Sequence, residues 1–297
     1  MRFHARVVFY VIEPIAIRKN DLWFTEYQTN AMRLGLRITS ILKNIKTDYQ
    51  QLLVVETEEY GRALILDGAL MFTDQNEFTY HEMMVHPLLS SHPDPRKVLV
   101  VGGGDGGCVR EIVKHDCVEE IYLVDIDEEV IKASLDFFPA VSEGLRDERV
   151  KVLPMDALKF IKDHPATFDA IIVDSTDPVD FAVGLFEAPF YRDVAAALRE
   201  GGMVVAQTES PFVNRDLLSH AFLQMGTVFP RMFLCWGAMP TYPTGSWTYS
   251  IGSLGPDPRT IRRSPSARTQ YYSSDIHRAS FVLPPFIKEL LRANLSQ

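Results

Sequence analysis

Between residues 98 and 107 the chain reads Val-Leu-Val-Val-Gly-Gly-Gly-Asp-Gly-Gly, an apolar strand-like run that enters a glycine loop with one carboxylate, Asp105, in its middle. Gly102, Gly104 and Gly107 satisfy G-x-G-x-x-G ahead of a helix-like stretch, Cys108 to His115, a pattern that seats a nucleotide-type ligand over a helix N-terminus. A dinucleotide would bring its pyrophosphate onto this loop, where a carboxylate opposes the anion that the helix N-terminus attracts. Asp105 instead suits a ligand that carries positive charge.

More carboxylates fall at the ends of strand-like runs. Asp125 and Asp127 follow the second run, Asp156 the third, and Asp174 with Asp177 the fourth. Each alone reads equally well as a helix cap or loop residue. Four successive strand ends point to a site, because ligands of an open parallel sheet collect outside the carboxyl ends of its strands. Asp125, about 20 residues past the glycine loop, is placed to accept both hydroxyls of a ribose. Asp156 is placed to accept a hydrogen bond from an adenine amino group. In Asp174-Ser175-Thr176-Asp177-Pro178 the proline removes a backbone donor and ends the strand. Two carboxylates there bind or deprotonate an amine.

The elements that must position these groups follow from periodicity. Strand-like runs at Lys97 to Val101, Glu120 to Ile126, Val150 to Pro154, Ala170 to Ser175 and Met203 to Thr208 alternate with helical stretches that include Glu128 to Phe138, Ala157 to His164 and Pro189 to Leu198. This predicts an α/β fold, a Rossmann-like, mainly parallel, doubly wound sheet. Met232 to Gly237 and Trp247 to Ser253 supply two further strands, antiparallel at one edge. Ahead of this domain, Trp23 to Gln28, Gln51 to Glu56 and Arg62 to Asp67, with a turn at Asp67-Gly68, predict a small N-terminal antiparallel sheet. Glu77 to Ser90 reads as a helix ending before Pro93. The divisions expected are an extension of unknown role over 1–20, the β-sheet domain over 21–75 and the catalytic domain over 76–297. Gly255 to Ser274, rich in Pro, Arg and Ser, reads as an irregular surface segment.

Composition bounds the rest. At 297 residues, 46% hydrophobic and 23% charged, the chain can bury a large core. Val7 to Ile12 is too short to span a membrane, so neither a membrane partner nor a secretory leader is expected, and the expected location is the cytoplasm. Cys108, Cys117 and Cys235 are not spaced as a metal site and read as reduced thiols. The formal net charge of −9 disfavours nucleic acid as a partner and is compatible with a cationic substrate.

Several motifs together resemble the polyamine aminopropyltransferases, the spermidine synthase family. They are Tyr49-Gln50, Leu66-Asp67-Gly68, Asp74 to Met83 ending in Tyr80-His81-Glu82-Met83, the loop Gly102 to Gly107 followed by Arg110-Glu111, Asp125-Ile126-Asp127, Asp174 to Pro178, Gln207 to Pro211, and Pro240 to Gly245. The resemblance runs from Asp21 to about Ser253. It implies transfer of the aminopropyl group of decarboxylated S-adenosylmethionine to a diamine, usually putrescine, giving spermidine and 5′-methylthioadenosine, by a homodimer or homotetramer. It implies that Gln50, Gly102, Gly104, Asp105, Gly107, Asp125, Asp156, Ala157 and Asp174 hold the donor. Tyr80, His81, Asp174, Asp177, Gln207, Glu209 and Tyr242 would surround the acceptor, with Asp174 as catalytic base assisted by Tyr80. No cofactor or metal is expected, since a neutral thioether leaves readily from a sulfonium. Trp23, Tyr80, Tyr242 and Trp247 are expected to line a slot for an alkyl chain and a cation. In one place the chain departs from the family pattern. After Asp177-Pro178-Val179 the family has Gly-Pro-Ala, and here the text is Asp180-Phe181-Ala182. The alternatives are therefore an enzyme preferring cadaverine, agmatine or spermidine, an S-adenosylmethionine-dependent methyltransferase on the same fold, and a catalytically silent polyamine- or nucleoside-binding protein.

Overall fold

The computed structural model describes residues 22–175, 184–185 and 187–293. Five antiparallel strands come first, β1 (Leu22–Thr29), β2 (Met32–Lys46), β3 (Gln51–Thr57), β4 (Arg62–Leu66) and β5 (Ala69–Thr73), paired in that order. Asp67 and Gly68, which join β4 to β5, both have positive φ (49° and 83°), the requirement of a two-residue type I′ hairpin turn. The second part contains α1 (Phe78–Ser91), β6 (Lys97–Gly102), α2 (Gly107–Ile112), β7 (Glu120–Asp125), α3 (Glu128–Phe137), α4 (Pro139–Ser142), β8 (Val150–Pro154), α5 (Ala157–Lys162), β9 (Phe168–Asp174), α6 (Ala188–Ala197), β10 (Leu198–Gln207), α7 (Arg215–Gly226), β11 (Arg231–Ala238), β12 (Ser246–Ser253), α8 (Ser274–Ser280) and α9 (Pro285–Ala293).

Seven strands form one sheet in the order β11-β12-β10-β9-β6-β7-β8. The five from β10 to β8 are parallel, while β12 and β11 add antiparallel at the β10 edge, as the sequence predicts. The chain runs outward from β6 through β7 to β8 and then returns to β9 on the other side of β6. That reversal falls at the carboxyl ends of β6 and β9, the position at which open α/β sheets bind their ligands.

Alternating side chains feed a core on each side of this sheet. Val98, Val100, Ala170, Ile172, Met203 and Val205 pack with α1 and α2, and Leu99, Val101, Ile171, Val173, Val204 and Ala206 pack with α5, α6 and α7. Strands buried on both faces read as continuous apolar runs, which is why Val98 to Val101 shows no alternation. The smaller sheet is tied on by a cluster in which Leu52, Val54, Leu64, Leu66 and Phe72 meet Val130, Ala133, Phe138 and Val141 of α3 and α4.

The structure differs from the sequence reading in three respects. Strand β2 is 15 residues long and was not expected, because two register shifts, at Ile38/Ser40 and Ile41/Lys43, break its period-two pattern. The helix expected over Cys108 to His115 covers only Gly107–Ile112. Helices α7, α8 and α9 lie where no element was expected. Gly255 to Ser274 is irregular as foreseen, but it is pinned to α1: Glu82 accepts the backbone N–H groups of Gln270, Tyr271 and Tyr272 at 2.6–2.9 Å. Among the described residues no helix is long and apolar enough to cross a membrane.

The close approach of β6 to β9 depends on Gly102. It has φ +76°, and a Cβ placed on it would stand 2.3 Å from the Asp174 carbonyl oxygen. Gly102→Ala should therefore lower stability by about 2 kcal/mol or more in denaturant unfolding, since both the backbone and the neighbouring strand must yield. A loss under about 0.5 kcal/mol would mean the junction is not tightly held.

Candidate active site

Two lobes of one depression lie over the carboxyl ends of β6, β7, β8 and β9. The first, about 410 Å³, is lined by Gln50, Gly102, Gly103, Gly104, Asp105, Asp125, Asp156, Ala157 and Asp174, with Tyr49, Leu66, Ile126 and Leu158 among the other walls. The second, about 400 Å³, is lined by Thr25 to Gln28 of β1 together with Gln207, Glu209, Asn214, Tyr242 and Trp247. Tyr80, Ser175 and Tyr242 belong to both, so the lobes meet at the end of β9.

In the first lobe each acidic strand end has a definite geometry. Asp125 Oδ2 accepts the Gly104 N–H at 2.9 Å and Oδ1 accepts the Asp127 N–H at 2.8 Å. Burial nevertheless pushes its carboxyl up to about 6, with the neighbouring Asp127 and Asp105 charges adding to the rise. Asp156 caps α5 by accepting the Leu158 N–H at 2.8 Å. Asp127, given no ligand role from sequence, is buried and organises this end: Oδ1 caps α3 through the Glu129 N–H, and Oδ2 accepts Thr47 Oγ1 at 2.7 Å and Gln50 Nε2 at 2.9 Å. It thereby holds Gln50, from the smaller sheet, against the lobe.

At the junction Tyr80 Oη donates to Asp174 Oδ1 at 2.7 Å. Burial, reinforced by the Asp174 charge, pushes the Tyr80 phenol well above its ordinary value, so it stays a donor. Asp174 Oδ2 is buried and has no hydrogen-bond partner among the described residues. Burial and the Asp105 charge push Asp174 up. The Cys108 thiol lies beside this carboxylate and, with the Tyr80 hydroxyl, lowers its pKa without cancelling the rise. Asp105 moves the other way: despite its burial, the His81 imidazole and the Gly107 N–H, which donates at 2.6 Å, hold it below the usual carboxylate range. One carboxylate is thus kept ionised while its neighbour is poised to take a proton.

His81 stands behind Asp105, with Nε2 3.3 Å from Asp105 Oδ1 and Nδ1 2.5 Å from Glu77 Oε2. His81, Asp105 and Asp174 bring ligand-capable atoms within 4.8 Å of one another, but both ring nitrogens already face carboxylates, so a metal would have to displace one of them.

The second lobe is aromatic on one wall and acidic at its end. Tyr242 makes an edge contact with Tyr80 (centroids 5.7 Å apart) and with Trp247 (4.5 Å), and its hydroxyl donates to the Met71 carbonyl. Gln207 Oε1 accepts Trp247 Nε1 at 3.1 Å, and Glu209, at φ +70°, accepts Asn214 Nδ2.

Several sequence expectations change in this light. Trp23 lines neither lobe; it is 54% exposed on β1, and Tyr27 of the same strand reaches the second lobe instead. His81 borders the first lobe rather than the one holding Gln207 and Glu209. Gly107 does not line the depression: it starts α2, and a Cβ there would stand 2.3 Å from the His81 ring, so its role is to let that ring approach. Asp177, with Asp180 and Phe181, lies outside the described residues. Sequence reasoning missed Glu77, Arg110 and the contribution of Thr25 to Gln28. The i, i+4 spacing of Glu77 and His81 on one helix is the signal that was available for the first.

A Rossmann-like sheet with two connected lobes that meet at an acidic junction over its strand ends defines a site with room for two small molecules side by side. Comparison with known proteins makes this specific. Residues 77–259 match the family described as spermine/spermidine synthase domain, and residues 22–74 match the spermidine synthase tetramerisation domain. The chain is 47% identical over 274 residues to the polyamine aminopropyltransferase of Caldicellulosiruptor bescii, covering 92% of this chain and 99% of that one. It is 46% identical over 274 residues to the enzyme of the same description from Moorella thermoacetica, covering 92% and 97%. A crystal structure of spermidine synthase in complex with the transition-state analogue AdoDATO superposes with a TM-score of 0.87 at 35% identity, covering 95% of this chain and 99% of that one. Spermidine synthase from Thermotoga maritima gives 0.86 at 35% identity, covering 95% and 98%. The chain belongs to the spermine/spermidine synthase family and is an enzyme, a polyamine aminopropyltransferase.

Asp127 ties the two sheets together at Gln50. Asp127→Ala should lower stability by about 1–2 kcal/mol through the lost cap. It should also weaken 5′-methylthioadenosine binding in calorimetry, because Gln50 loses its anchor. Unchanged nucleoside affinity would separate Asp127 from the site.

Proposed function

We propose that the enzyme transfers the aminopropyl group of decarboxylated S-adenosylmethionine to putrescine, giving spermidine and 5′-methylthioadenosine. The observation that carries this reading is the buried Oδ2 of Asp174 at the junction of the two lobes, which has no hydrogen-bond partner among the described residues. A buried acceptor without a donor is costly unless a ligand supplies one, and an amine N–H entering from the second lobe does so.

In this reading the nucleoside occupies the first lobe, with its ribose on Asp125, its base against Asp156 and Ala157, and its ammonium toward Asp105. The primary amine sheds a proton to Asp174, whose other oxygen is fixed by Tyr80. The freed nitrogen lone pair attacks the methylene carbon bonded to sulfur, a carbon–nitrogen bond forms, and the carbon–sulfur pair returns to sulfur as a neutral thioether. Charge balance is kept throughout, so the step needs no metal or cofactor. Intact S-adenosylmethionine carries a carboxylate that Asp105 repels, which disfavours the methyltransferase alternative. The Tyr80, Tyr242 and Trp247 rings suit an alkyl chain, and Glu209 with Gln207 suit the distal ammonium. Exposed Trp23, Tyr27, Ile41 and Leu42 on β1 and β2 support assembly of copies through the smaller sheet, with Tyr27 also bordering the second lobe.

Asp174→Asn should cut turnover by about 10²-fold or more while sparing donor affinity, since the amide is nearly isosteric but cannot accept the amine proton. Because Asp174 must be ionised to act, kcat/KM should fall as pH drops through its raised pKa. Near-normal turnover of the variant would remove Asp174 from this role.

Asp105→Ala should weaken the decarboxylated donor much more than 5′-methylthioadenosine, which lacks the ammonium; equal losses in calorimetry would reduce Asp105 to a loop-shaping residue. The acceptor is decided by kcat/KM for putrescine, cadaverine, agmatine and spermidine. Putrescine is expected to lead, and a clear preference for another amine would overturn the assignment.

A further inference from the structure

Glu77 and Arg110 line neither lobe, yet they stand directly behind residues that do. Glu77 occupies the N-cap position of α1 but makes no capping hydrogen bond with its side chain. Its carboxylate turns inward. Oε1 accepts Arg110 Nη1 at 2.7 Å, Oε2 accepts Arg110 Nη2 at 2.9 Å, and the same Oε2 lies 2.5 Å from His81 Nδ1. All three side chains are more than nine-tenths buried. A helix start that forgoes its cap to bury a carboxylate against an arginine and an imidazole has an arrangement that local stability does not explain.

We propose that Glu77, gripped by Arg110, is a positioning residue that fixes the His81 ring and both of its protons, so that Asp105 is presented ionised to the cationic end of the aminopropyl donor. The proposal rests on the aminopropyl-transfer reading and not on which amine accepts the group. With Glu77 on Nδ1 and Asp105 on Nε2, a neutral imidazole would turn a lone pair toward one of two carboxylates; only the imidazolium donates to both. The titratable and charged groups facing this ring are Glu77 and Tyr80 from α1, Asp105 from the glycine loop and Asp174 from the end of β9, with Arg110 of α2 acting through Glu77. Phe72 of β5 closes the remaining side with an apolar edge. Burial by itself lowers the His81 pKa, but Asp105 and Glu77 overcome this and hold it up to about 10.

The consequence reaches the substrate. An ordinary histidine changes charge between about pH 5 and 8, and with it would change the field on Asp105. Asp105 and Glu77 together move that change out of range. Without the imidazolium, Asp105 and Asp174 would share one wall with no cation between them, and the pair would take up a proton that the donor's ammonium must then displace.

The test compares the full-length wild-type enzyme with Glu77→Gln/Arg110→Gln, which removes the buried charge pair together and leaves no lone charge behind. The first measurement is the protonation state of His81 by NMR of imidazole-¹⁵N-labelled protein, assigned by the signal missing from His81→Gln. Wild-type His81 should remain an imidazolium up to at least about pH 8, whereas in the double variant it should titrate between about pH 5 and 8. The second is kcat/KM for decarboxylated S-adenosylmethionine against pH, beside the affinity for 5′-methylthioadenosine. The variant should gain a new ionisation in the same interval and lose about tenfold or more in kcat/KM for the donor above it, with nucleoside affinity kept within about twofold. Neutral His81 in the wild type near pH 8, an imidazolium that persists in the variant, or parallel losses of donor and nucleoside would each overturn the proposal. Should the double variant fail to fold, Glu77→Asp keeps the charge but withdraws it by one methylene, and a donor-selective loss with a lowered His81 pKa is required of it too. The NMR state of His81 in the two proteins needs no turnover, so a failure of this charge arrangement is distinguished from a failure of the assigned reaction.

Discussion

Two carboxylates, Asp105 and Asp174, have to lie close together in a site largely withdrawn from water, and the rest of the structure is arranged around that constraint. Like charges at this spacing do not ionise together unless a cation stands nearby. The protein supplies one as the end of a chain of alternating sign: Asp105, His81, Glu77, Arg110, Glu111 and Lys114 follow one another through ion pairs of 2.5–3.3 Å. Each buried ion costs several kcal/mol of lost hydration, and only a fully paired series offsets that cost. Asp174 is left outside the series, with one oxygen fixed by Tyr80. In the proposed reaction the carboxylate that binds, Asp105, is therefore neutralised from behind, and the one that reacts, Asp174, keeps the raised pKa that its burial and the Asp105 charge give it.

Helix α1 is what makes this possible. Within one and a half turns it carries Glu77 at its start, Tyr80 and His81 toward the site, and Glu82 toward the C-terminal segment. It runs through the interior with nearly every residue buried, so its polar groups need partners inside the protein, and Glu77, Tyr80, His81 and Glu82 find theirs in four different elements: Arg110 in α2, Asp174 in β9, Asp105 in the glycine loop and the backbone of residues 270–272. Moving α1 by one residue of register would disconnect all four. The glycine at 107 belongs to the same arrangement, because the His81 ring occupies the space where a Cβ would be.

Much of this was legible in the sequence because it depends on residue type at a strand end. The apolar run before Gly102, the acidic residues at 105, 125, 156 and 174, and the Asp67-Gly68 turn each announce themselves through a single local rule. The strand β2 did not, since its bulges exchange the inward and outward faces and leave no continuous alternation. Helix α7 was readable in principle from Leu218, Phe222 and Met225 at helical spacing, all turned to the core. What no local rule reveals is pairing across the fold. Arg110 lies 33 residues from Glu77, and Thr47 lies 80 residues from Asp127, so the supports of the site appear only once the topology brings them together. The same limit applies to Tyr27, whose place beside the second lobe follows from how the smaller sheet docks through Leu52, Leu64 and Phe72.

That docking carries a final consequence for how the two lobes divide the work. The first lobe is built on strand ends of the parallel sheet, closed by Gln50 under the hold of Asp127, so its shape is set by rigid backbone. The second is bounded by β1 on one side and by the Gln207–Asn214 and Tyr242–Trp247 segments on the other, with Tyr242 joined to the smaller sheet through the Met71 carbonyl. A site held by strand ends keeps one ligand in one orientation, whereas a site between a sheet edge and loops can differ in length and polarity without disturbing the first. In the proposed reaction the chemistry falls where the lobes meet, at Tyr80 and Asp174, and the second lobe can vary around it without moving them. The reaction type is therefore written in residues the fold cannot change, and the choice of amine in residues it can.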